Sequence, residues 1–133
     1  MTNKAENNHQ YSDKVLDHFL NPRNIGVIQG ASAIGNGGDR ECGDVIRLYL
    51  QIEDDIIVDS KIKVFGCPAV IACASVLTEI IRGKTVTEAL NITNKNISDT
   101  LGGLPTEKLH CSELVEAVLR DAICRYRENP VEA

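Results

Sequence analysis

The chain has 133 residues, one ordinary domain's worth, and its 43% hydrophobic and 25% charged content excludes disordered and fibrous classes. Fourteen Lys and Arg against nineteen Asp and Glu leave a net charge of −5, which argues against an electrostatic nucleic-acid binder. The longest apolar stretch, residues 68–77, is too short to span a bilayer. Residues 1–10 carry neither a secretory signal nor a typical transit pattern, so the cytoplasm is the expected compartment.

In chain order, residues 1–10 read as a flexible tail, 11–127 as a single domain and 128–133 as a frayed end. Residues 11–20 (YSDKVLDHFL) place Val15, Leu16 and Phe19 at helical spacing behind a Ser12 cap, and Asn21-Pro22 ends that helix. The glycine-rich stretch 25–40 reads as a mobile loop with a short strand near residues 26–28. It is no phosphate cradle, because no G-K-[ST] follows it. Residues 45–52 and 56–65 alternate about the polar turn 53–55, with Ile46, Leu48, Leu50 and Ile52 facing Val58, Ile62 and Val64. This predicts a β-hairpin. Residues 68–82 predict a buried helix opened by Pro68 and closed by Gly83. Thr85-x-x-Glu88 is a capping box that opens a short helix, and 94–101 forms another, closed by Gly102-Gly103. Residues 104–108 read as an extended linker. The last helix, 111–127, carries Leu114, Val115, Val118, Leu119, Ala122, Ile123 and Tyr126 in one apolar stripe.

Five cysteines, at 42, 67, 73, 111 and 124, are an odd number and contain no C-x-x-C pair. Any thiol site must therefore be assembled by the fold. If both hairpin strands bury even-numbered residues, Cys42 falls opposite residue 66 or 68, next to Cys67. Their α-carbons would then lie within roughly 4.5–8 Å. Asp44 shares the face of Cys42 if the strand begins there. Cys67 directly precedes a helix whose N-terminal dipole favours a thiolate. Cys111 lies on the inward stripe of the last helix beside His110, a potential ligand or proton acceptor. Cys73 is turned about 120° around its helix from Cys67 and, like Cys124, reads as a packing residue. His9 and His18 have no cluster around them. Periodicity alone does not bring Cys111 to the hairpin end, and a packed or disulfide-bonded Cys42–Cys67 pair fits the same pattern.

The strings YSDKV and NPRNIG, followed by Cys42-Gly43-Asp44, Phe65-Gly66-Cys67 and LPTEKLHCS (residues 104–112), resemble the IscU/NifU-type iron–sulfur cluster scaffold family. The resemblance spans about residues 11–127, with the motifs in family order. It implies an α+β domain whose small antiparallel sheet, about three strands, packs against several helices. It also implies that Cys42, Cys67 and Cys111 gather at one exposed end to ligate a transient 2Fe–2S cluster, with Asp44 or His110 as the non-cysteine ligand and Asp44 keeping the cluster labile. Zinc can occupy such a site in the apo-scaffold. The implied role is not enzymatic, and the implied partners are a cysteine desulfurase, iron and electron donors, and apo iron–sulfur acceptors, with the scaffold a monomer or homodimer. Lys108 belongs to the third motif. The family's chaperone-recognised L-P-P-V-K site is altered at Thr106 and Glu107, which argues against a dedicated DnaK-type chaperone as partner. Pro68 and Cys73 also depart from the usual family residues. No room is seen for the insertion of the SufU branch or for the C-terminal domains of full-length NifU. Two other readings fit the thiols: a persulfide sulfur carrier that builds no cluster, and a structural zinc domain.

Overall fold

The computed structural model describes residues 11–39 and 43–128. The elements run α1 (Asp13–Leu20), β1 (Ala33–Asp39), β2 (Asp44–Glu53), β3 (Ile56–Phe65), α2 (Pro68–Ile81), α3 (Val86–Leu90), α4 (Asn94–Thr100), a 3-10 turn (Thr106–Lys108) and α5 (Leu109–Glu128). The strands form one antiparallel sheet in the order β1-β2-β3. One face of that sheet is covered by helices: α5 lies on β1 and β2, α2 on β3, and α1 packs on α2. The fold class is therefore α+β, as expected. The tail at 1–10 and the terminus at 129–133 lie outside the described residues.

The hairpin forms where alternation predicts it, and its body pairs Val45 with Phe65, Arg47 with Lys63 and Leu48 with Ile62. Its tip corrects the inward assignment of Val58. Asp54 and Asp55 both take positive φ, the geometry of a two-residue primed turn, which pairs Glu53 with Ile56. That turn is one residue out of phase with the sheet body, and a bulge between Gln51 and Ile52 absorbs the difference. Val58 is the extra residue and is 46% exposed, while Ile57 is fully buried in its place. The tip is tied to the α2–α3 corner: Ile57 N–H donates to the Lys84 carbonyl at 2.8 Å, and Val86 N–H to that of Asp55 at 3.0 Å.

The second correction concerns the predicted loop. Residues 33–39 are a full strand, and 24–26 bridge the far edge of β3, where Gly26 N–H donates to the Ile62 carbonyl at 2.9 Å. Glycine in β1 marks close helix approach, not flexibility. A Cβ on Gly35 would fall 2.4 Å from the Val118 carbonyl oxygen, and one on Gly37 would fall 2.4 Å from Val118 Cγ2. Helix α5 thus rests directly on the β1 backbone. The expected linker at 104–108 contains the 3-10 turn instead, and α5 begins at Leu109, placing His110 and Cys111 in its first turn.

The remaining caps match the sequence. Ser12 Oγ accepts from Val15 N–H at 3.0 Å, and Thr85 with Glu88 forms the expected reciprocal box. Asn21 closes α1, and Gly83 follows the end of α2 with φ +84°. Within the core, His18 is buried against Ser75, with Nδ1 and Oγ 2.8 Å apart, and Ser75 also accepts from Arg23 N–H at 2.9 Å. This network ties the turn after α1 to the middle of α2.

Candidate metal centre

Three elements deliver the site to one end of the sheet. The inner row of β2, Asp44, Ile46, Leu48 and Leu50, is buried throughout, so Asp44 occupies the last core-facing position of that strand. Its Oδ1 accepts from Cys67 N–H at 3.2 Å, and its Oδ2 lies 4.0 Å from Cys67 Sγ. Gly66 makes this possible. It has φ +154°, and a Cβ there would sit 2.2 Å from Asp44 Oδ1.

Cys67 is the N-cap of α2, with extended backbone and Pro68 immediately after it. Its Sγ lies 3.6 Å from Cys111 Sγ, well beyond a disulfide bond, and both thiols are reduced. Cys111 is fully buried at the head of the α5 stripe, and its Sγ is 3.7 Å from His110 Nε2. Donor atoms of Asp44, His110 and Cys111 all lie within 4.8 Å of one another, a spacing one metal ion could bridge. Burial pushes the Cys111 thiol well above its ordinary pKa, and the adjacent Cys67 adds to the rise. A cation is what would let both sulfurs carry negative charge together.

Of the residues singled out from the sequence, Asp44, Cys67, His110 and Cys111 are brought together, and Cys42 lies outside the described residues. Cys124 is exposed. His18 belongs to the core network, and His9 also lies outside the described residues. Cys73 is fully buried with its thiol pushed up to about 12 by burial and, to a lesser extent, by Cys67. Tyr11 was not singled out from the sequence as a site residue. Its ring packs against the core, burial raises its hydroxyl pKa, Lys108 opposes the rise, and Cys67 and Cys111 reinforce it.

The fold and this end of the sheet define a small α+β domain presenting thiols, a carboxylate and an imidazole. The family model for the NifU-like N terminal domain matches residues 10–133. The "Iron-sulfur cluster assembly scaffold protein IscU 1" of Archaeoglobus fulgidus is 49% identical over 116 residues, covering 87% of this chain and 76% of that protein. The scaffold protein IscU of Aquifex aeolicus is 46% identical over 119 residues, with 88% and 76% covered. The nitrogen fixation protein NifU of Azotobacter chroococcum is 45% identical, and there the match spans 38% of the relative. Among solved structures, a SUF-system scaffold described as putative, from Fervidobacterium islandicum, superposes with TM-score 0.72 at 28% identity, covering 86% of this chain and 97% of that one. A NifU-like N-terminal protein from Brucella abortus gives 0.78 at 19% identity, covering 90% and 96%, and attests the fold alone. The chain belongs to the NifU-like N-terminal domain family.

Proposed function

We propose that this protein is a scaffold on which a labile 2Fe–2S cluster is assembled from iron and desulfurase-derived sulfur, then passed to apo-acceptor proteins. Family membership supports the scaffold role. The observation that carries the chemistry is the Cys67–Cys111 pair of reduced thiols, 3.6 Å apart, with Asp44 and His110 within reach. Cys42, Cys67 and Cys111 would be the thiolate ligands, with Asp44 or His110 completing the set. Thiolates suit iron–sulfur clusters, and an oxygen or nitrogen donor in the fourth place weakens the hold on a cargo that must leave. Sulfur would arrive when a scaffold thiolate attacks the outer sulfur of a desulfurase persulfide. The donor's S–S bond breaks, its cysteine leaves as thiolate, and the scaffold carries the new persulfide. The role is stoichiometric rather than enzymatic, in a cytoplasmic setting that keeps thiols reduced. Among the described residues, no helix is long and apolar enough to cross a membrane.

A second reading, resident zinc, is favoured by the compact Asp44–His110–Cys111 donor set. Anaerobic incubation with a cysteine desulfurase, cysteine, ferrous iron and a dithiol, which reduces the persulfide sulfur to sulfide, separates the two. The scaffold reading expects equal iron and acid-labile sulfide, with charge-transfer absorption that fades when an apo-acceptor is added. Tightly held zinc with no iron or sulfide uptake would overturn it.

A further inference from the structure

The helix-free face of the sheet carries a feature that the thiol site does not use. On β2 and β3 the outward residues are Val45, Arg47 and Tyr49, paired with Phe65, Lys63 and Lys61. One of only two phenylalanines in the chain, Phe65, is 77% exposed, and its cross-strand partner Val45 is 57% exposed. Between these and Ile25, which bridges the β3 edge, runs a groove of about 550 Å³, with Tyr49 also in its lining.

Arg47 and Lys63 stand directly opposite each other, an arrangement that is unfavourable unless negative charge meets it. Among the described residues, the side-chain acceptor of Arg47 is the neutral amide of Asn36, at 2.8 Å. Among the described residues, Arg47, Lys61 and Lys63 take part in no ion pair. A chain of net charge −5 therefore gathers, around an exposed apolar strip on one face, cations that no carboxylate among the described residues pairs with.

We propose that this groove docks an extended segment of a partner protein, in which carboxylates flank an apolar side chain. The apolar side chain would pack against Val45 and Phe65 while the carboxylates meet Arg47 and Lys63. Such a contact gains specificity and on-rate from charge, and affinity from the apolar strip. The assignment rests on the face itself and does not depend on the scaffold reading.

The test uses fluorescein-labelled peptides of roughly eight residues, long enough to cross the groove when extended, that alternate Asp or Glu with Leu or Phe. Binding is read by anisotropy and by amide shifts in the full chain. At least one such peptide is expected to shift the amides of Val45, Arg47, Lys63 and Phe65, and to bind more weakly in high salt. Arg47→Glu combined with Lys63→Glu should weaken binding roughly tenfold or more, as should Phe65→Ala, while Lys-for-acid peptides should not bind. The proposal is overturned if no acidic–apolar peptide moves those amides, or if charge reversal leaves affinity unchanged. Iron and sulfide loading by purely chemical reconstitution is expected to be unchanged in the charge-reversed protein, so a failed docking test and a failed scaffold test remain distinct.

Discussion

Gly66→Ala isolates the contact that holds Asp44 against Cys67. The backbone at Gly66 has φ +154°, where a side chain costs on the order of 1–3 kcal/mol. The new methyl would lie 2.2 Å from Asp44 Oδ1 and 2.9 Å from Val70 Cγ1, so the buried carboxylate must swing away from Cys67 N–H. Losing that charge-assisted hydrogen bond adds about 1.5–3 kcal/mol. The total, roughly 2.5–6 kcal/mol, is a large share of a typical domain's stability of about 5–15 kcal/mol. Urea unfolding of the parent, Gly66→Ala, Asp44→Ala and the double variant measures it. Removing the carboxylate relieves most of the clash, so the double variant should be less destabilised than the two single losses combined, by about 1 kcal/mol or more. Strict additivity would refute the claim that Gly66 is glycine on account of Asp44.

Cys73→Ala should cost about 1 kcal/mol or less in stability and leave cluster content unchanged; a large loss of iron and sulfide would make Cys73 part of the site. Treatment with diamide, which accepts two electrons and both thiol protons, should close Cys67 to Cys111 as the sulfurs move from 3.6 Å to about 2.05 Å. Peptide mapping that finds no such link would contradict the observed spacing. Burial, aided by Arg23 and opposed by Glu79, holds His18 below its ordinary pKa of 6.5. The unfolded chain therefore takes up this proton at higher pH than the folded one. Stability from this group should be complete above about pH 6.5 and lost as pH falls towards the lower folded value. Urea midpoints between about pH 7.5 and 5.5 should show this slope, and His18→Gln should flatten it; an unchanged slope in that variant would exclude His18 as the cause.

The sequence disclosed those parts of the fold whose signal is local. The alternation in 45–52 located the hairpin, and Pro68, Gly83 and Thr85-x-x-Glu88 marked helix ends within a residue or so. It did not disclose the bulge, because the phase conflict between a two-residue turn and the sheet body arises only when the strands pair. β1 was hidden for a different reason: Gly35 and Gly37 read as loop residues until Val118 and Ala122 are seen pressing on them. At the site, register set Cys42 beside Cys67 and put Asp44 on the face of Cys42; Cys42 lies outside the described residues, and the contact of Asp44 with Cys67 emerged only from the structure. The meeting of Cys67 with Cys111 joins residues 44 positions apart in the chain, and only helix packing supplies it.

The inner row of β2 ends in the carboxylate of Asp44, and the inward stripe of α5 begins with the thiol of Cys111. The site therefore inherits its alignment from the phase of the core, and chain length becomes its weak point. One residue inserted between 44 and 50 would turn Asp44 to the opposite face, and one inserted between 111 and 118 would rotate Cys111 by about 100°. Insertions at 29–31 or 53–55 disturb neither phase. Length variation compatible with this site is thereby confined to the turns, whereas substitutions on the outer surface leave its geometry intact.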